Sequence, residues 1–261
     1  MSGAALPDRP NRRRWYVVAI LCLLFAVSMV DRLILALLVQ PLKQDLGVSD
    51  TQLGLLMGVA FAVLYSVAGF PIAQLIDRKS RTLILAIGVA GWSIATILSG
   101  FTTSFGTLFA LRAGVAIGEA VLTPAAISLI ADMFGPRERA LPTSVYMAVA
   151  GVMGTGAFAI GGLALQFAET LTPLFSMAPW RITLMLVGSP GLVLALLLIL
   201  TVREPVRGNA FKPGTPDTRD GRLYSLQTWR LFLPFCLTSD GLNVFTMGLV
   251  AWFPPFLVRA F

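Results

Sequence analysis

WYVVAILCLLFAVSMVDRLILALLVQ, residues 15–40, carries no charge except the adjacent pair Asp31 and Arg32. A helix rises 1.5 Å per residue, so about 20 residues cross the ~30 Å hydrocarbon core of a bilayer. The run is long enough to span. Arg12, Arg13 and Arg14 precede it, but it is too long for a signal sequence and no small-residue cleavage site follows. It reads as a first transmembrane helix that stays in the mature protein. Burying an ionisable group in lipid costs at least ~2.5–3.5 kcal/mol, which a mere anchor has no reason to bear.

Working outward, seven apolar segments appear, at roughly 15–40, 51–76, 83–103, 105–133, 140–167, 180–202 and 229–257. Only 13% of the 261 residues are charged, about half the share in soluble domains, so the chain reads as an all-α integral membrane protein. Trp15, Tyr16, Trp180, Trp229 and Trp252 fall near segment ends, as interfacial aromatics do. Most of the 20 Lys and Arg lie before segment one and in the loops two–three, four–five and six–seven. The opposite loops hold only Lys43 and Arg181, with Arg259 beyond segment seven. By the positive-inside rule the N-terminus is cytoplasmic, in a plasma (inner) membrane. The net charge of +7 sits in these short loops, so it marks topology rather than nucleic-acid binding. Cys22 and Cys236 lie in apolar segments and need only packing. With no histidine present, any proton chemistry falls to carboxylates.

Residues 203–223, REPVRGNAFKPGTPDTRDGRL, form a polar linker with three prolines and three glycines. The expected division is a cytoplasmic tail (1–14), a six-helix domain (15–202), a cytoplasmic central loop (203–228) and the first helix of an incomplete second half (229–261). Either the chain is the front of a twelve-helix protein, or a half-size chain works with a partner or a second copy. A faint repeat favours the first: segment seven opens with Trp229 and closes at Pro254, as segment one opens with Trp15 and closes at Pro41. Parallel six-helix repeats are a transporter architecture.

Two more charges lie inside the fourth segment, Arg112 and Glu119. Their spacing of seven places them on one helical face. Asp31 falls about 24 Å from the inner end of segment one, a little beyond mid-depth, and Glu119 falls near mid-depth in the antiparallel fourth segment. The four charges can share one layer, paired as Asp31–Arg112 or Arg32–Glu119. Arginine stays ionised when buried, whereas a carboxylate can take a proton once its pairing breaks. A protonated carboxylate would free its arginine for an anionic group. The competing reading is a static cluster that fixes helix packing, although buried ion pairs stabilise poorly.

A short charged turn, Asp77-Arg78-Lys79-Ser80-Arg81, joins segments two and three. Lys79 and Arg81 read as ordinary positive-inside charges. Asp77 runs against that rule and is expected to engage a neighbouring helix end. Asp132 and Pro136-Arg137-Glu138-Arg139 close segment four in the same manner. Gly54 with Gly58, and Gly114 with Gly118, are small-xxx-small pairs that admit close helix approach. Segment five holds Gly151, Gly154, Gly156, Gly161 and Gly162, of which Gly154 and Gly156 are candidates for packing or bending during gating.

Several of these motifs resemble those of the major facilitator superfamily. Ala73-Gln-Leu75-Ile-Asp77-Arg78-Lys-Ser80-Arg81 is similar to its G-x-L-x-D-R-x-G-R loop, and Arg112-Ala-Gly114-Val-Ala-Ile-Gly118-Glu119-Ala120 to its fourth-helix motif. Trp180-Arg181, Gly188-Ser-Pro-Gly191 and Glu204-Pro205-Val-Arg207 resemble the usual approach to the central loop. With Asp31-Arg32 the pattern is most similar to bacterial spinster-like members, then to the anion:cation symporters. Ala73 and Ser80 replace two motif glycines, and segment five lacks the proline of the antiporter motif. The resemblance implies a major facilitator-type bundle and assigns proton coupling and substrate gating to Asp31, Arg32, Arg112 and Glu119.

The expectation is a secondary transporter, proton-coupled, that moves a small organic anion or an amphipathic lipid-like molecule by alternating access. Its partners are the substrate, protons and the bilayer. A seven-helix receptor would place its N-terminus outside, and a retinal base needs a lysine within a helix, whereas Lys43, Lys79 and Lys212 lie in loops. An enzyme would need a metal-ligand set, a nucleophile with its base or a phosphate loop, none of which appears, so no cofactor or metal is expected.

Overall fold

The computed structural model describes residues 12–205. The first eleven residues, the linker from Val206 and the seventh apolar segment with Trp229, Cys236 and Trp252 lie outside the described residues.

Nine helices follow one another among the described residues: α1 (Arg12–Leu37), α2 (Val39–Leu46), α3 (Asp50–Met57), α4 (Val59–Arg78), α5 (Arg81–Ser99), α6 (Phe105–Glu119), α7 (Leu122–Met133), α8 (Ala140–Phe175) and α9 (Pro179–Thr201). They make six spans, because α3 with α4, and α6 with α7, each form one stretch of 29 residues. Helix α1 already includes Arg12, Arg13 and Arg14, before Trp15. The fifth span, α8, runs on to Phe175, beyond the apolar run, because Glu169, Thr170 and Thr172 do not break a helix.

Breaks in the spans have local causes. Pro41 has no N–H for the Leu37 carbonyl, and the chain breaks at Leu38 between α1 and α2. Pro124 likewise leaves the Ala120 carbonyl without its helical donor, just where α6 gives way to α7. At Gly58 a Cβ would lie 2.8 Å from the Gly54 carbonyl oxygen, so the bend between α3 and α4 requires glycine there. That bend, rather than packing against another helix, accounts for Gly58. Caps set the turns. Ser49 and Gln52 form a reciprocal capping box at the start of α3, and Ser80 and Ser104 accept from Leu83 and Thr107.

Packing is uneven. Helix α5 lies against α9, α6 and α7, while α1 lies against α8 and α9. Glycines allow the closest approaches. A Cβ on Gly118 would meet the Gly88 carbonyl and Trp92 at 2.9 Å, and one on Gly188 would meet Ile97 and the Ser93 carbonyl at 2.9 Å. Leu21, Leu24, Trp92, Val115, Leu129 and Tyr146 are fully enclosed in the resulting core. By contrast, the apolar windows of spans two and five are only 11% and 17% buried, against 61% for span one.

Candidate functional site

Helices α1 and α6 bring the four mid-span charges together in two pairs. Arg112 Nη1 donates to Asp31 Oδ1 at 2.9 Å, and Nη2 donates to the Asp31 carbonyl oxygen at 3.1 Å. The Thr96 hydroxyl on α5 donates to the other carboxylate oxygen, Oδ2. Both oxygens of Asp31 are therefore satisfied, and the residue is 1% exposed. Arg32 points the other way. Its Nη2 donates to Glu119 Oε2 at 2.6 Å and its Nε to the same oxygen at 3.2 Å. Glu119 Oε1 is buried and finds no hydrogen-bond partner among the described residues.

The two pairs thus differ in kind. Asp31–Arg112 is enclosed on all sides, while the Arg32 side chain keeps 27% of its surface open beside a fully buried Glu119 side chain. The layer is neutral in sum, with two guanidinium and two carboxylate groups. Arg32 also lies over two aromatic rings of α4, with its guanidinium carbon 5.1 Å from the Phe61 centroid and 5.2 Å from that of Tyr65. Neither these rings nor Thr96 were picked out from sequence. Phe61 and Tyr65 are four apart on one helix face, and Thr96 lies with Ser93 and Ser99 among apolar neighbours; those patterns were the available signals.

At the end where α5 begins, the sequence reading of Arg81 needs correction. Arg81 is 3% exposed and is no ordinary loop charge. Its Nε donates to Glu204 Oε1 at 2.8 Å, and its Nη1 donates to Ser128 Oγ at 3.1 Å and to the Asp132 carboxylate. Glu204 Oε2 accepts from Ser80 Oγ at 3.0 Å and from the Thr82 N–H at 2.8 Å. A carboxylate at a helix N-terminus is favoured by the unpaired N–H groups there. Burial alone would raise the Glu204 pKa, but these donors outweigh it and hold it at about 2. Asp77 and Arg78 sit exposed in the last turn of α4. At the opposite end, Asp45 Oδ2 accepts from Trp180 Nε1 at 3.0 Å and from Arg181 Nη2 at 2.8 Å, which ties α2 to α9.

Of the candidate glycines, Gly118 is pressed against α5, and Gly114 meets Ala95 at an ordinary 3.7 Å. A Cβ on Gly154 would meet nothing within 4 Å, and one on Gly156 only Met153 at 3.5 Å. The tight glycine of α8 is Gly161, where a Cβ would lie 2.8 Å from Ile34 on α1. No cluster of metal-ligating side chains occurs among the described residues.

Comparison with known proteins places this geometry. A family model described as Major Facilitator Superfamily matches residues 3–261. An MFS-type efflux pump of Mycolicibacterium smegmatis is 31% identical over 250 residues, covering 95% of this chain and 55% of that protein. Protein spinster of Drosophila melanogaster is 30% identical over 261 residues, covering 97% of this chain and 41% of that protein. A crystal structure of a bacterial homologue of the human lysosomal transporter spinster, inward-facing and unoccupied, superimposes with a TM-score of 0.83 at 34% identity, over 97% of this chain and 57% of that one. The chain thus spans about half the length of the relatives it matches.

Proposed function

This chain belongs to the Major Facilitator Superfamily, and from that premise we propose that it carries the first half of a proton-coupled secondary transporter. The observation that supports this most is the asymmetry of the two carboxylates. Asp31 is satisfied at both oxygens, whereas Glu119 has one oxygen on a half-open arginine and the other without a partner. Glu119 is the group that takes the proton. Asp31 with Arg112 and Thr96 is the fixed frame against which it moves.

Protonation of Glu119 removes the carboxylate that holds Arg32. The freed guanidinium, fixed in charge, then offers its fork to a carboxylate or phosphate of the cargo. Release of the proton restores the Glu119 carboxylate, which re-forms the internal pair with Arg32 and expels the anion. This exchange suits a small organic anion or an amphipathic molecule with an anionic head. A second six-helix unit, in the same polypeptide or in a partner, closes the pathway, and the two rock about the layer in alternating access. The basic loops support a cytoplasmic N-terminus, and this reading assigns the protein to the plasma (inner) membrane.

The test is solute-driven proton movement in vesicles holding the natural protein, with small carboxylates and single-chain amphiphiles as probes. Glu119→Gln should insert normally and lose the dependence of uptake on a pH gradient. Unchanged pH-driven uptake in that variant would refute the mechanism.

A further inference from the structure

The mechanism leaves open what keeps Arg32 on Glu119 until the proton arrives, since a half-open arginine could swing into water. Three observations converge on span two. First, the Phe61 and Tyr65 rings, stacked with centroids 6.2 Å apart, both lie within 5.2 Å of the Arg32 guanidinium carbon. Cations are drawn to aromatic faces at that range. Second, only 11% of the apolar window of this span is buried among the described residues, and the two rings on Arg32 join α4 to α1. Third, the pair is bracketed by points of bending, Gly58 one turn before Phe61 and Pro71 inside α4 beyond Tyr65. A proline inside a helix removes a backbone hydrogen bond and favours a kink.

The geometry points to Phe61 and Tyr65 as positioning residues: an aromatic clamp on span two that presses Arg32 onto Glu119 and releases it when that span swings. The inference rests on the reading of Glu119 as the proton carrier and adds the element that controls it. Glu119 is faced by Arg32 and Asp31 from α1, by Arg112 from its own helix and by the α4 aromatic pair across Arg32, with Tyr146 of α8 also near Arg32. Of these, the α4 pair is the one that follows directly on the Gly58 bend. Bending at Gly58 would carry both rings off the guanidinium while the Asp31–Arg112 frame stays in place. The clamp therefore couples a movement of the helix to the ion pair without touching substrate.

The full chain, purified in detergent, allows a direct reading by infrared titration of the protonated-carboxyl band, with Glu119→Gln identifying the part due to Glu119. Removal of both rings (F61L/Y65L) should move the midpoint of that band upward by about one pH unit, because Arg32 no longer stays on the carboxylate. Tyr65→Phe keeps the ring and should leave the midpoint in place, which separates the aromatic face from the hydroxyl. Should the double variant fail to fold, Phe61→Leu alone carries the same expectation with a smaller shift. A Glu119 band whose midpoint ignores the loss of both rings overturns the clamp while leaving the proton site intact. The absence of any band sensitive to Glu119→Gln overturns the proton site itself, and the clamp with it.

Discussion

Arg112 binds Asp31 twice, through the side-chain Oδ1 at 2.9 Å and the main-chain carbonyl at 3.1 Å. One arginine of span four thereby fixes both the backbone and the charge of a single residue in span one, 81 positions away. The neighbouring pair, Arg32 with Glu119, lacks this enclosure, and the contrast gives the layer an enclosed side and a half-open side.

The contrast is measurable as stability. Asp31→Asn or Arg112→Met leaves an opposite charge buried, a change that costs about 3–5 kcal/mol in comparable sites. Glu119→Gln leaves Arg32 with an open flank and two aromatic faces, and its cost should be on the order of 1 kcal/mol. Unfolding midpoints in detergent should rank the variants in that order. Equal losses would show that the two pairs are equally structural.

Arg81→Lys tests the end cluster. Lysine keeps the charge but lacks the planar fork that reaches Glu204 with Nε and Asp132 and Ser128 with Nη1. The expected result is a loss of about 1–3 kcal/mol, the range for hydrogen bonds to charged groups. Arg78→Lys, at an exposed position, should change stability by less than ~0.5 kcal/mol.

Glu204 makes stability depend on pH. Its carboxyl titrates at about 2 in the folded chain, below the ordinary glutamate value of about 4.3. The unfolded chain therefore takes up this proton first as pH falls. The contribution is fully present above the ordinary value and is lost as pH drops toward 2. Replacement Glu204→Gln should flatten the acid limb of the stability profile between about pH 4.5 and 2. An acid limb identical to that of the parent would assign the loss to other carboxylates.

Glycine positions divide cleanly. Gly118→Ala forces a Cβ to within 2.9 Å of the Gly88 carbonyl and Trp92, and overpacking of this kind costs about 1–3 kcal/mol. Gly154→Ala meets no atom within 4 Å and should be neutral or stabilising by up to ~1 kcal/mol through helix propensity. Thermal unfolding of the two variants checks both.

Much of this protein was legible in one dimension because a bilayer imposes one-dimensional rules. A span must be about 20 apolar residues long, so the six described spans could be counted and ordered from hydropathy. A charge inside such a run is costly, so Asp31, Arg32, Arg112 and Glu119 stood out, and the fixed rise of a helix placed them at similar depth. The breaks at Leu38 and Ala120–Val121 had a local signal too, in Pro41 and Pro124 a few residues on.

Only the tertiary structure decided which charge meets which, and what else joins them. Thr96 reaches Asp31 across 65 residues, Glu204 reaches Arg81 across 123, and Phe61 and Tyr65 come to Arg32 from another helix. Hydropathy fixes a residue's depth but leaves its helix free to rotate and to choose neighbours. That choice is made by side-chain packing and by glycine contacts such as Gly118 on Gly88, where the local pattern marks Gly118 but not its partner.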